Sequence, residues 1–241
     1  MKAIILAAGV GKRLWPVTQH RPKCLIEIGG QTLLQRYLES LASLGIQRAD
    51  IVVGYKQDMI RAAVEKASSG VRVGFLVNEQ FHRGSISSLW IARTALDDDV
   101  VIMDADVLFH REILRRLVQS PYPNALLMDD TVKQTGEECM VVVEGGRVIA
   151  LTKKMPARYD CAGEGVGFLK VRHADTPYVV ASLRTFVDRE AWHMEYEDAL
   201  VEFFRDVKVG HEVIGGLPWT EIDFPEDVEK AERDVLPKML R

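Results

Sequence analysis

Cysteine is scarce: only Cys24, Cys139 and Cys161 occur in 241 residues, and they lie far apart. An odd number, far apart, suits a reducing cytoplasm better than a disulfide framework, and none of the three lies in a metal-ligand spacing. A surplus of one charge is missing too. With 31 Lys and Arg against 35 Asp and Glu, the formal net charge is −4; a broad basic surface is excluded, and no nucleic acid is expected as a partner. Any recognition of phosphate must therefore be local. No apolar run approaches the roughly 20 residues of a membrane helix, so no membrane insertion is expected. The N-terminal run, Lys2–Ala7, is shorter than the apolar core of a secretory signal, and a cytoplasmic location is the expectation. Low-complexity tracts and internal repeats are absent. The length fits one α/β domain over 1–241, or a domain with a small lid, with a substantial core.

What the chain does have begins at residue 2. Lys2–Ala7 is apolar without alternation, as in a strand covered on both faces of a parallel sheet. It stops at Gly9 and Gly11, which clear side chains from a turn whose amides can then face an anion. Lys12, Arg13 and Lys23 put three cations on or just beyond that loop. Strand, glycine loop and positive charge together predict a polyphosphate site. A Walker loop needs Ser or Thr directly after Gly-Lys, and Arg13 stands there. The dinucleotide fingerprint wants a third glycine or a small residue, and Leu14 stands there, followed by Trp15 and Pro16. Pro16 and Pro22 predict an irregular loop over Val17–Arg21 in place of a crossover helix.

Further on, Leu25–Ile28 reads as a short strand, and Thr32 caps a helix to about Leu44 with Leu33, Leu34, Tyr37, Leu38 and Leu41 on one face. Strands at Asp50–Gly54, Val71–Val77, Val100–Asp104 and Ala125–Met128 alternate with helices at Gln57–Ala67 and Arg111–Gln119. This order predicts a doubly wound α/β fold with a mostly parallel sheet and ligands beyond the strands' carboxyl ends. The pattern then changes. Met140–Val143, Arg147–Thr152 and Val166–Val171 are short strands, the first two joined by Gly145-Gly146, and they predict a small antiparallel insertion at about 138–171 beside the main sheet. Val213–Leu217 and Trp219–Ile222 read as extended segments before a last helix opened by Pro225.

Several polar groups sit where packing does not ask for them. Asp104 and Asp106 stand at the mouth of an apolar strand, which points to a metal or substrate role; Mg²⁺ takes one or two protein carboxylates and fills its other positions with phosphate and water. Gly84 and Ser85 mark a helix start whose amides and hydroxyl can meet a base edge or simply cap the helix. Glu195, Glu197 and Asp198 open an amphipathic helix, where acids meet the helix dipole or bind acceptor hydroxyls or an amine. Asp97-Asp98-Asp99 reads as a solvated turn.

Ala7-Ala8-Gly9-Val10-Gly11-Lys12-Arg13-Leu14, followed by Arg21-Pro22-Lys23-Cys24-Leu25, resembles the signature of the nucleotidyltransferases that activate sugar phosphates and phospho-alcohols. The likeness extends through most of the chain and implies a Rossmann-like nucleotidyltransferase fold. By that resemblance Arg13 and Lys23 are catalytic, Arg13 holding the β and γ phosphates and Lys23 neutralising the reacting ones. Leu6, Ala8, Gly9, Gly11, Lys12, Asn78, Gly84, Ser85 and Asp104 join them in holding the nucleotide. Asp106, Glu221 and Asp223 would bind Mg²⁺; alternation turns Glu221 and Asp223 to one face if their segment is extended. Lys153 would grip the acceptor's phosphate, with Glu164, Gly167, Glu195, Glu197 and Asp198 around the rest of that molecule. Ser88-Leu89-Trp90 is similar to the Ser-Leu-Tyr of phosphocholine cytidylyltransferases, and Tyr159-Asp160-Cys161 with Gly165-Val166-Gly167-Phe168 resembles inositol-1-phosphate cytidylyltransferases.

The expected reaction is Mg²⁺-dependent transfer of CMP from CTP to a phosphorylated small molecule such as an inositol phosphate, phosphocholine or a phosphonate, with release of pyrophosphate. Uridylyl, thymidylyl or guanylyl transfer to a sugar 1-phosphate is the alternative within the family. A noncatalytic nucleotide-binding regulatory domain is the alternative of another class; it need not retain Lys23, Asp106 and Asp223 together. A homodimer is left open.

Overall fold

The structure is a computed structural model that describes residues 1–132, 134–136 and 138–240. In chain order it runs β1 (Lys2–Ala7), β2 (Glu27–Ile28), β3 (Gln31–Thr32), α1 (Leu33–Ser43), β4 (Arg48–Val53), α2 (Gln57–Lys66), β5 (Arg72–Val77), α3 (Ser85–Ala92), β6 (Val100–Asp104), β7 (Val107–Phe109), α4 (Arg111–Gln119), β8 (Ala125–Asp129), β9 (Met140–Glu144) and β10 (Arg147–Thr152). There follow β11 (Cys161–Val171), α5 (Thr176–Val187), α6 (Tyr196–Asp206), β12 (Gly210–Val213), β13 (Trp219–Glu221), α7 (Pro225–Lys230), a π turn over Ala231–Val235 and α8 (Leu236–Met239).

Apolar strands without alternation need cover on both faces, and they receive it. Along β1, Ala3, Ile5 and Ala7 enter a core with Leu34, Tyr37 and Leu41 of α1 and Ile113 and Leu117 of α4. Ile4, one step out of phase, enters a second core with Ile86 and Leu89 of α3, Val179 and Leu183 of α5, and Leu200 and Phe203 of α6. The sheet is therefore doubly wound, as its period-2 chemistry requires. α1 begins where Thr32 accepts the Gln35 amide at 3.1 Å, a cap that satisfies one of the amides left over in a first turn.

Strands β6, β1, β4 and β5 lie side by side and parallel, with Leu6 beside Asp104. β11 runs antiparallel to β6 and carries the sheet on into β9 and β10, while β8 pairs with β11 and with β12. The antiparallel segment thus continues the central sheet through one long strand that starts at Cys161, earlier than Val166. Two other expectations shift. The segment 23–28 is a 3-10 turn over Lys23–Leu25 followed by the two-residue β2. The expected strand Val213–Leu217 is displaced: β12 ends at Val213, and Gly215 and Gly216 turn the chain with positive φ.

Candidate active site

β6 ends at Asp104, and Ala105-Asp106 turn the chain into β7. β13 lies antiparallel to β7 with Glu221 opposite Val107. That register gathers Asp106, Glu221 and Asp223, which offer one carboxylate oxygen each within 4.8 Å of one another. Tyr37 of α1, 1% exposed, holds the turn from beneath. Its hydroxyl donates to the Asp104 carbonyl at 2.6 Å and accepts from the Val107 amide at 3.1 Å.

The 3-10 turn at Lys23 aims its ammonium into this group, where it donates to Asp106 Oδ2 and Asp223 Oδ1 at 2.6 Å each. Burial alone would lower the Lys23 pKa; the charges of Asp106 and Asp223 outweigh it and hold the ammonium well above its ordinary value. Arg13 reaches the other oxygen of Asp223 at 2.8 Å, its guanidinium over the Phe224 ring. Desolvation, followed by the charges of Asp106 and Asp223, pushes Glu221 up to about 8. Asp106 Oδ1 is buried without a hydrogen-bond partner. Three carboxylates, an orphaned oxygen and an ammonium between two of the acids make a donor set that fits a hard divalent cation such as Mg²⁺.

On one side of this group lies the glycine loop. Gly9 is exposed, with open space where a side chain would project. Gly11 has φ 64 and opens the first 3-10 turn, and buried Thr18 donates its hydroxyl to the Gly11 carbonyl at 2.7 Å. Lys12 is exposed on the loop, while Ala8 is buried and accepts the Tyr55 amide at 3.0 Å. Asn78, 1% exposed, donates to Ser87 Oγ at 2.9 Å and Ser88 Oγ at 3.1 Å, and accepts the Gln80 amide at 2.9 Å. It braces the loop that leads into α3. A Cβ on Gly84 would collide with the Trp192 carbonyl, so this close approach to 192–194 requires glycine. Ser85 Oγ accepts the Tyr196 amide at 2.8 Å.

The other side is acidic. Tyr196 donates its hydroxyl to Asp104 Oδ2 at 2.7 Å, and burial, with the charges of Glu197 and Asp106, holds the Asp104 carboxyl well above the usual range. β11 is bulged between Gly165 and Leu169, and Gly167, at φ 78, would place a Cβ 2.6 Å from Asp104 Oδ2. Bulges re-aim side chains beside many active sites. Burial, with Glu138 and Asp129 nearby, pushes Glu164 up to about 7. Burial and the charges of Glu195, Asp198 and Asp106 do the same to Glu197. Glu195 and Asp198 cap α6 reciprocally, with Asp198 accepting the Glu195 amide at 3.3 Å.

One cleft of about 940 Å³ brings together Arg13, Lys23, Ser85, Asp104, Asp106, Lys153, Glu164, Glu195, Glu197, Glu221 and Asp223. Gly167 lines a recess of about 70 Å³ behind it. Leu6, Ala8, Gly9, Gly11, Lys12, Asn78, Gly84 and Asp198 are not on the cleft wall; the loop residues flank it, and Asp198 serves the helix cap. Sequence reasoning missed Asp129 and Glu138, together with Lys230 and Lys238 near the C-terminus. Asp129 ends an apolar strand, as Asp104 does, and that signal was available; the two lysines read as ordinary solvated charges.

A doubly wound sheet with a glycine loop, two cations and a three-carboxylate group at its carboxyl ends defines an enzyme that handles phosphate groups. The chain belongs to the nucleotidyl transferase family, whose model matches residues 2–133. It is 24% identical to the CTP:phosphoglutamine cytidylyltransferase of Campylobacter jejuni, over 95% of this chain and 98% of that one. It is 32% identical to the CMP-5'-(3-aminopropyl)phosphonate synthase of Streptomyces rubellomurinus, over 52% of this chain and 20% of the relative. Against the bifunctional IPC transferase and DIPP synthase of Rubrobacter xylanophilus, identity is 30% over 97% of this chain and 52% of that one. The chain thus spans only part of some relatives. The fold is that of the CTP:phosphocholine cytidylyltransferase of Streptococcus pneumoniae, with TM-score 0.77, 24% identity, and 96% and 97% of the two chains covered. No helix among the described residues is long and apolar enough to cross a membrane.

Proposed function

We propose that this protein transfers CMP from CTP to a phosphorylated small-molecule acceptor in the presence of Mg²⁺, releasing pyrophosphate. The observation that carries this reading is the convergence of Lys23 and Arg13 on Asp106, Glu221 and Asp223, between the glycine loop and the acidic wall. Asp106, Glu221 and Asp223 would hold Mg²⁺, which when bound supplies charge neutralisation and a template for the phosphate oxygens.

No side-chain nucleophile is required, because the attacking phosphate oxygen is already anionic near neutral pH. The protein's task is to align two anions that repel each other and to neutralise them, which is positioning plus electrostatics. Lys23 stabilises charge on the reacting phosphate. Arg13, on the loop side, retains the departing pyrophosphate. Lys153 serves the acceptor's phosphate, and the bonds from Asn78 and Ser85 keep the base loop in place before nucleotide arrives. Relatives named for cytidylyl transfer support CTP as the donor. Three cysteines without a disulfide support a reducing, cytoplasmic setting.

The test is pyrophosphate release from each of CTP, UTP, dTTP and GTP across a panel of phosphorylated acceptors. A CTP preference of about 5- to 150-fold is expected, the cost of one unpaired buried base contact. UTP or dTTP used as well as CTP would overturn the cytidylyl assignment, and no release with any pair would overturn transfer itself.

A further inference from the structure

Three acids open α6, and their roles diverge. Glu195 and Asp198 complete the reciprocal cap. Glu197 is left over: its Oε2 is buried without a hydrogen-bond partner, and the side chain lines both the main cleft and the inner recess. A buried carboxylate oxygen with nothing to accept from is costly unless a ligand supplies the donor.

The surroundings say which donor fits. Among the described residues, the recess wall includes Asp104, Glu197 and Glu221 but no Lys or Arg. Among the described residues, the wider cleft carries eleven carboxylates and five cationic side chains. Two of those cations, Lys23 and Arg13, are engaged with Asp106 and Asp223. A hydroxyl would give Glu197 one hydrogen bond and no compensating charge; an ammonium gives up to three donors and favours the ionised carboxylate among its acidic neighbours. The recess, about 70 Å³, compares with roughly 30 Å³ per liquid water and suits the end of a short aminoalkyl chain. Tyr196 and Trp219 are among its lining residues, and aromatic side chains tolerate a neighbouring cation.

We infer that Glu197 marks a subsite for a cationic nitrogen, and that the acceptor is an aminoalkyl phosphate or phosphonate whose ammonium enters the recess while its phosphate faces Lys153. The inference rests on the nucleotidyl-transfer reading and narrows its acceptor class.

The protein would be assayed with CTP and Mg²⁺ on 2-aminoethyl phosphate and on propyl phosphate, its uncharged isostere, with inositol 1-phosphate alongside. The expected kcat/KM ratio favours the amine by about 10- to 100-fold, the range for a charge-assisted buried contact. Glu197→Gln should bring that ratio to within about threefold, through KM for the amine and not KM for CTP. Equal use of the two isosteres by the wild-type protein, or better use of inositol 1-phosphate, would overturn the subsite and leave cytidylyl transfer standing. If no acceptor releases pyrophosphate, the transfer reading fails, and calorimetric titration with the same two phosphates judges the subsite separately. Tighter binding of the amine, lost in Glu197→Gln, supports it; equal binding rejects it.

Discussion

Ile222 donates its backbone amide to the carbonyl of Asp106 at 2.9 Å. This single bond sets Asp223, the next residue, beside Asp106 from a distant part of the chain, and Lys23 then closes the pair from a third segment.

Asp106→Ala and Asp223→Ala should each lower pyrophosphate release by more than about 100-fold, the scale of losing a central electrostatic contact to the reacting phosphates. The melting temperature should stay within a few degrees of the wild-type value. Removing either carboxylate relieves repulsion in the group, and Lys23 keeps the other partner. Near-normal turnover would reject the metal assignment.

Lys23→Ala should also cut turnover, with a different stability signature. The ammonium is the cation that separates Asp106 from Asp223, so its loss should cost about 3 kcal/mol, the low end for breaking a buried pair. Thermal melts in EDTA should show the drop, and added Mg²⁺ should raise the variant more than the wild type. An equal Mg²⁺ shift in both proteins would count against a shared cation position.

Tyr37→Phe removes one oxygen far from solvent and leaves the Asp104 carbonyl and the Val107 amide without it. The expected destabilisation is about 1–3 kcal/mol, read from denaturant unfolding. A loosened Asp104–Asp106 turn should also raise the Mg²⁺ concentration needed for half-maximal activity. A variant as stable as wild type would mean that the hydroxyl does not hold the turn.

Glu164 gives a pH test. Its carboxyl ionises near the ordinary 4.5 when unfolded and at about 7 when folded. Between those values the folded chain keeps a proton that the unfolded chain has released. The group therefore favours the folded state fully below pH 4.5, and that contribution is lost as pH rises through 7. Glu164→Gln should make the fall of stability between pH 4.5 and 7 shallower; an unchanged slope would place the burial of Glu164 in doubt.

What could be read from sequence was local. Runs such as Lys2–Ala7 and Val100–Asp104 declare doubly covered strands because a residue's neighbours in a strand alternate faces, and the helix face of Leu34, Tyr37, Leu38 and Leu41 repeats every turn. The glycine loop, Asp106 and Asp223 were legible for a related reason: glycines and acids at the end of an apolar run lack a packing role, and they resemble a known signature. α5 went beyond the sequence expectations, although Val179 and Leu183 carry its period. Partner choice was decided by tertiary structure alone. Lys23 meets Asp106 across 83 positions and Asp223 across 200, and no pattern within one element encodes such distances. Asp198 and Glu197 stand side by side in the sequence with the same chemistry, yet one caps its own helix and the other faces the recess. Helix geometry points neighbouring side chains about 100° apart, and only the packing of α6 against the sheet determines which of the two faces the recess.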